Sequence, residues 1–384
     1  MNFPGKTISP SVVASPARDR VAQLDGLRGL LALQVVYLHF AMGIDTVRAF
    51  SEQHVPIALN SWLAVDIFFA MSGYVMCYVY AGQFRNGVGW RDYRHFILAR
   101  FARIYPVNLL SLLLLLVLLL PAIWHTDRFL SYDGRYSWQA AIASFFLLQG
   151  PAIDHRTWNF PSWSVSVEWV LYFLFPFCLP LFRRQYLALA ALPVLGLLAF
   201  LLYSTVGPVT NGPLSLVHGL LLFLSGIAVY ELSKLEWFSS AILLVATLAG
   251  MIVLAIHPTL EMAAVFLVPL LVLTIIQNRY ARAVLSTAIF RWLGSLSYSL
   301  YMLHALVAIV LLSRVQAVFV HLLGEGVPAG FATMAVSVAL SLLLAAVSLR
   351  FVEKPLRSWI RTVSDRAPRR PLAEQALQGQ SRLP

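Results

Sequence analysis

Polar positions are sparse along this chain, and they fall between long apolar runs rather than alternating with apolar ones. Apolar segments lie near 27–44, 58–81, 104–122, 164–182, 186–205, 216–232, 239–257, 260–277, 296–313 and 330–351. Most approach the roughly 20 residues that an α-helix needs to cross a bilayer. Segment 138–149 is shorter. The pattern predicts an all-α polytopic membrane protein of about ten transmembrane helices, with 138–149 as a re-entrant or surface segment on the outer side. Non-helical backbone at membrane depth is tolerated only against protein or a water-filled cavity.

Charge decides the orientation. With ten spans and the N-terminus inside, most Lys and Arg residues fall on the inner side. Arg48, Arg128, Arg135, Arg156 and Arg314 are left outside. Basic residues concentrate on the cytoplasmic side, so both termini are expected in the cytoplasm. A crossing at 138–149 would turn Arg183, Arg184 and the basic C-terminal tail outward. Three parts follow: a cytoplasmic tail at 1–23, a transmembrane domain at 24–360, and a disordered basic tail at 361–384.

Composition narrows the class. The chain is 59% hydrophobic and 12% charged, against roughly 45–50% and about 25% for soluble domains. Residues 1–23 hold no apolar stretch of the kind a cleavable signal peptide needs. The net charge of +11 would suggest nucleic acid in a soluble protein; here it reads as topology signal, with no nucleic-acid partner expected. Cys77 and Cys178 lie in apolar runs and read as small buried hydrophobes. No internal repeat stands out.

A few ionisable residues interrupt the apolar segments. In "LDGLRGLLALQVVYLHF" (24–40), Arg28 and His39 are eleven residues apart, about three turns and about 16 Å of helix, and so share a face. Arg28 is expected at the cytoplasmic rim and His39 near mid-membrane. Buried ionisable groups are costly and usually face a bundle interior or a cavity. Asp66, Glu168 and His304 fall at comparable depths in other segments, and with His39 they are expected to form one proton-handling layer. A second layer is cationic. In "RDYRHFILARFARIYP" (91–106), Arg100 and Arg103 are neighbours on one helical face. With Arg28 they form a candidate clamp for phosphate, which the planar guanidinium binds bidentately. The same stretch also reads as an interfacial helix attracted to anionic lipid. A cationic inner site and a deeper histidine site suit a long ligand with an anionic head and a reactive end, as in an acyl-coenzyme A. Histidines at scattered positions imply no metal.

Six stretches in order, "LDGLRGLLALQVVYLH", "VDIFFAMSGYVM", "RFARIYP", "WSVSVEWVLYFLFP", "LGSLSYSLYMLH" and "FVEKPLR", resemble the acyltransferase-3 family of integral membrane acyltransferases over roughly 24–360. "SVEW" departs from the family's usual second acidic or amide residue, so no role rests on Trp169. The resemblance implies transfer of an acyl group, commonly acetyl from acetyl-CoA, to a hydroxyl of a cell-envelope or exported glycan, in a bacterial inner membrane. Envelope-polysaccharide biosynthesis proteins are candidate partners beside the lipid bilayer, and the chain reads as a stand-alone member without a fused esterase-like domain.

On that reading His39 is the general base, and Glu168 or Asp66 orients its imidazole. Arg28, Arg100 and Arg103 hold the coenzyme A phosphates. Ser72 and Gly73 allow close approach of the second helix to the first or to the pantetheine arm. Tyr298, Tyr301 and His304 line the acceptor side. Two alternatives remain at this stage: a proton-coupled transporter of a glycan or lipid, and a family member acting on an antibiotic or other small glycosylated molecule.

Overall fold

A computed structural model describes residues 16–84, 86–125, 134–207, 209–257 and 260–365. The 1–15 and 366–384 parts of the expected tails lie outside the described residues. Among the described residues every regular element is helical. The chain opens with α1 (Pro16–Ala41), the short α2 (Asp45–His54), α3 (Ser61–Tyr80) and the long α4 (Trp90–His125). Two short helices, α5 (Trp138–Phe145) and α6 (Gln149–Ala152), lead to α7 (Trp163–Cys178), α8 (Gln185–Val206), α9 (Pro213–Leu232) and α10 (Ala241–Ile256). Then come α11 (Val268–Gln277), α12 (Arg279–Leu285), α13 (Ala288–Val310), α14 (Leu312–Leu323), α15 (Val327–Ser348) and α16 (Lys354–Asp365).

Each of the ten apolar segments holds a helix, but among the described residues seven helices are long and apolar enough to cross a membrane, or eight if the bent pair α11–α12 is one span. The three other segments differ for separate reasons. Helix α1 carries Asp25, Arg28, Gln34 and His39; α10 has only 16 residues; and α11 meets α12 at 82°. Segment 138–149 breaks after α5, whose eight residues rise only about 12 Å. It is tied down instead. Gln149 Nε2 donates to the Ser162 carbonyl at 3.1 Å, and Trp158 Nε1 donates to the Ser137 carbonyl at 3.0 Å.

Helix α13 is the central post, with 78% of its apolar window buried, whereas α8 keeps only 22% and turns Leu197, Leu198 and Leu201 outward. Without a hydrophobic drive between helices in lipid, small residues let backbones approach and pack. Two crossings depend on this. A Cβ on Gly294 of α13 would lie 2.1 Å from the Asp25 carbonyl of α1, and one on Gly29 would lie 2.8 Å from the Gly294 nitrogen. In the second crossing, a Cβ on Gly73 of α3 would lie 2.0 Å from the Phe223 carbonyl of α9. Gly73 therefore joins α3 to α9. The helix it brings close is thus α9, where α1 or the pantetheine arm was expected. Gly294→Ala is expected to destabilise the fold by about 1–3 kcal/mol or more. Gly82→Ala, where an added Cβ meets nothing within 4 Å, is the control. Thermal unfolding in detergent separates them, and equal melting temperatures would refute the packing argument.

Candidate active site

Helix periodicity brings the cationic residues together. Arg100 and Arg103 stand one turn apart on α4, and both line a pocket that also receives Arg28 from α1 and Ser72 from α3. Glu168 and Tyr172 come from α7, Tyr298 and Tyr301 from α13. The space among them is small, about 100 Å³. Tyr172 OH donates to Glu168 Oε1 at 2.6 Å, and Ser72 Oγ donates to the same oxygen. Arg100 Nη2 donates to Tyr80 OH at 2.7 Å. Arg103 is ion-paired with Glu353, which also accepts from Ser299 Oγ at 2.9 Å. Arg28 has a looser partner, Asp25 at 3.9 Å. Tyr298 OH donates to the Ile104 carbonyl, and Tyr301 OH donates to the Pro161 carbonyl at 2.9 Å. The two tyrosines, expected on the acceptor side, thus belong to the pocket of the arginines.

His39 opens onto a different space. It lies two residues from the end of α1, and Arg28 lies near the middle of that helix. Helix α1 begins at Pro16, eleven residues before the apolar run at 27–44. His39 lines a cavity of about 810 Å³ with Arg135, Tyr136, Arg156 and Phe160. Its ring meets Phe160 edge-on at 4.7 Å and is almost parallel to His304, 13° apart.

The hydrogen bonds of the two histidines fix their protons. His304 is fully buried. Its Nδ1 lies 3.2 Å from the Leu300 carbonyl, which can only accept, so that nitrogen carries the proton. In a neutral ring Nε2 is then an acceptor, and it lies 2.9 Å from His39 Nδ1. His39 Nδ1 must be the donor, which leaves the lone pair on His39 Nε2. Two rings separate the spaces: Tyr301, which lines the arginine pocket, lies 6.1 Å from His304, and His304 lies 5.0 Å from His39.

The expected single layer of ionisable groups divides into three. Asp66 lies elsewhere, with Oδ1 2.7 Å from His218 Nε2 of α9 and accepting from Tyr203 OH of α8 at 2.7 Å. Glu168 is held by Ser72 and Tyr172. Neither carboxylate bonds the His39 ring; the orienting position is taken by His304, which does not line the outer cavity. Sequence reasoning missed His218, although it interrupts "LSLVHGLLLFL" in the same way as His39 interrupts its own run. It also gave Glu353 no role, since only folding brings that residue to Arg103. Among the described residues no group of three or more His, Cys, Asp or Glu side chains could hold a metal ion.

The sequence model of an acyltransferase domain, acyltransferase-3, matches residues 21–346. The chain belongs to the acyltransferase-3 family. Acyltransferase MdmB of Streptomyces mycarofaciens is 30% identical over 174 residues, 43% of this chain and 41% of that protein. Protein 2 in picA locus of Rhizobium radiobacter is 32% identical over 161 residues, 40% of this chain and 76% of that protein. Peptidoglycan O-acetyltransferase OatA of Listeria monocytogenes serovar 1/2a is 23% identical over 380 residues, 89% of this chain but 56% of OatA. The chain thus spans well under two thirds of two of these relatives. No solved structure matches it. Among the described residues several helices are long and apolar enough to cross a membrane, which accords with membership of a family of acyltransferase domains.

Proposed function

We propose that the protein moves an acyl group, acetyl first among them, from acyl-coenzyme A to a hydroxyl of a cell-envelope or exported glycan. The names of OatA and MdmB support acyl transfer, and OatA's supports acetyl and glycan. One observation carries the reading: His39 lines the roomy cavity with Nδ1 held by His304, and only the Tyr301 and His304 rings stand between it and a pocket of three arginines. The donor's phosphates sit on Arg28 and Arg100, with the thioester reaching toward His39. The acceptor enters the cavity of Arg135 and Arg156. In the proposed topology the N-terminal end of α1 is cytoplasmic, as the positive-inside rule favours, and the membrane is the bacterial inner membrane.

The step balances without a further reagent. His39 Nε2 takes the acceptor's hydroxyl proton as its oxygen attacks the thioester carbonyl. The carbon–sulfur bond breaks, and the coenzyme A thiolate recovers the proton from the imidazolium. His304 positions the imidazole, the work a carboxylate does in a Ser-His-Asp triad. His304→Ala is expected to lower kcat about tenfold to a hundredfold, with donor KM little changed. His304→Gln, able to accept from Nδ1–H, should recover part of the loss. Equal rates in wild type and His304→Ala would refute the positioning role.

The direct test supplies labelled acetyl-coenzyme A and envelope glycans to the purified protein in nanodiscs. Label in a glycan supports the reading. Lack of both coenzyme A binding and turnover with every acceptor overturns it. Removal of a charged hydrogen bond costs about 1.5–3 kcal/mol, so Arg28→Ala is expected to weaken acetyl-coenzyme A binding by roughly tenfold to a hundredfold. Calorimetry reads this, and an unchanged affinity would remove Arg28 from the clamp.

A further inference from the structure

The outer cavity has a charge pattern that acyl transfer itself does not require. It is lined by two arginines, and no carboxylate lines it among the described residues. Arg135 comes from the turn before α5, and its guanidinium lies 5.1 Å from the Tyr136 ring and 5.1 Å from the Phe160 ring. Phe160 in turn touches His39. Arg156 is exposed on the loop between α6 and α7 and lines the same cavity as His39.

That loop is not a loose strap. Asn159 Nδ2 donates to Ser111 Oγ at 2.9 Å and to the Met302 carbonyl at 3.0 Å, which holds the loop on α4 and α13. The nearest acid in sequence, Asp154, is engaged by its neighbour: His155 Nδ1 lies 2.9 Å from its Oδ1, and that hydrogen bond holds the Asp154 carboxyl below the usual carboxylate range. No ion pair is formed by Arg156 among the described residues.

A concave space lined by charge of one sign concentrates ligands of the other sign. Guanidinium groups recognise the planar oxygens of carboxylate and phosphate. Chemistry at His39 adds a second reason. The ring becomes an imidazolium when it takes the acceptor's proton, beside an already positive Arg156. An anion seated on Arg156 offsets that repulsion.

We infer that the acceptor is anionic: a carboxylate or phosphate group on the glycan or its lipid carrier seats on Arg156 and Arg135 and presents a neighbouring hydroxyl to His39. This rests on the acyl-transfer reading for the word acceptor, but the anion site stands on its own lining. Arg156 is then a specificity-determining residue that binds substrate away from the reacting atoms.

The test uses the full chain in nanodiscs of uncharged lipid. Binding of three probes is measured by calorimetry: a glucuronate-containing disaccharide, its uronate methyl ester, and glucose 6-phosphate. At least one of the two anions is expected to bind about tenfold or more tightly than the ester. Which of them does so distinguishes a uronate from a phosphate source. Arg156→Gln should bring that anion down to the ester's level, and Arg156→Lys should retain part of the preference. If acid and ester bind alike, if none binds, or if the preference survives in Arg156→Gln, the anion site is refuted. Thermal unfolding of Arg156→Gln should match wild type, since its side chain is exposed.

The same probes are then offered with labelled acetyl-coenzyme A. Equal transfer to ester and acid overturns the inference and leaves the acyl-transfer reading standing. Anion-selective binding that Arg156→Gln abolishes, with no coenzyme A bound or turned over, upholds the anion site and overturns acyl transfer instead.

Discussion

His39→Ala removes acyl transfer while leaving the protein folded in the membrane. The expected fall is about 10²- to 10⁴-fold, the usual contribution of a positioned general base. Two features make the loss specific. His39 lies near the end of α1 with its ring lining the outer cavity, so truncation enlarges an existing space instead of opening a hole in the packed core. Among the described residues, the Nδ1 bond to His304 is also the one hydrogen bond of the side chain. Removing it leaves His304 Nε2 without that partner, at a modest cost in stability. Coenzyme A affinity should survive, because the arginine pocket lies on the other side of Tyr301. The measurement is label transfer to glycan beside acetyl-coenzyme A binding, for wild type and His39→Ala. Turnover at the wild-type rate would eliminate His39 as the base. Loss of both binding and turnover would point to a folding defect, which His39→Gln, closer in shape, would separate from chemistry.

How much of this was legible in the sequence differs from residue to residue. Ionisable groups in apolar runs stand out because burying them is costly, and His39, Asp66, Glu168 and His304 all prove to have polar partners. Short-range geometry was also legible: Arg100 and Arg103 share a helical face because they are one turn apart, and both reach the same pocket. Partnership was not. His39 meets His304 across 265 residues of chain, and Asp66 meets His218 across 152. Depth along a helix says only that two groups share a layer, since azimuth and neighbour choice are set by how helices cross. Those crossings depend on glycines such as Gly29 and Gly294, whose role is visible only when the backbones are together. Helix α1 also starts earlier than the apolar run at 27–44, because its first turns are polar. The apolar run marks what lipid or core covers, whereas the helix extends further by backbone hydrogen bonding. The span count has a similar cause: hydropathy finds apolar stretches, and bends such as α11–α12 depend on turn chemistry, here Asn278, whose side chain caps α12 by accepting from Tyr280 and Ala281.

Glu353→Ala is expected to be the most destabilising of the substitutions considered. Glu353 is 1% exposed and Arg103 17%, and they pair where the π-helical turn Leu349–Glu353 joins α15 to α16. Removing one partner of a buried pair leaves the other charge uncompensated, at about 3–5 kcal/mol. Typical domains have about 5–15 kcal/mol in total, so a large drop in melting temperature follows. A thiol-reactive dye reports the unfolding, because Cys77 is buried in the native fold. A Glu353→Ala melting temperature equal to wild type would show the pair to be dispensable. The double variant Arg103→Leu/Glu353→Leu removes both charges, and replacement of a buried pair by apolar groups is often neutral or stabilising. Its stability should therefore return toward wild type, which makes it the cleaner probe of function. If Arg103 contributes to the clamp beyond its bond to Glu353, the restored protein will still bind acetyl-coenzyme A weakly. If donor affinity returns along with stability, the arginine closest to Glu353 serves the fold, and Arg28 and Arg100 alone remain for the phosphates.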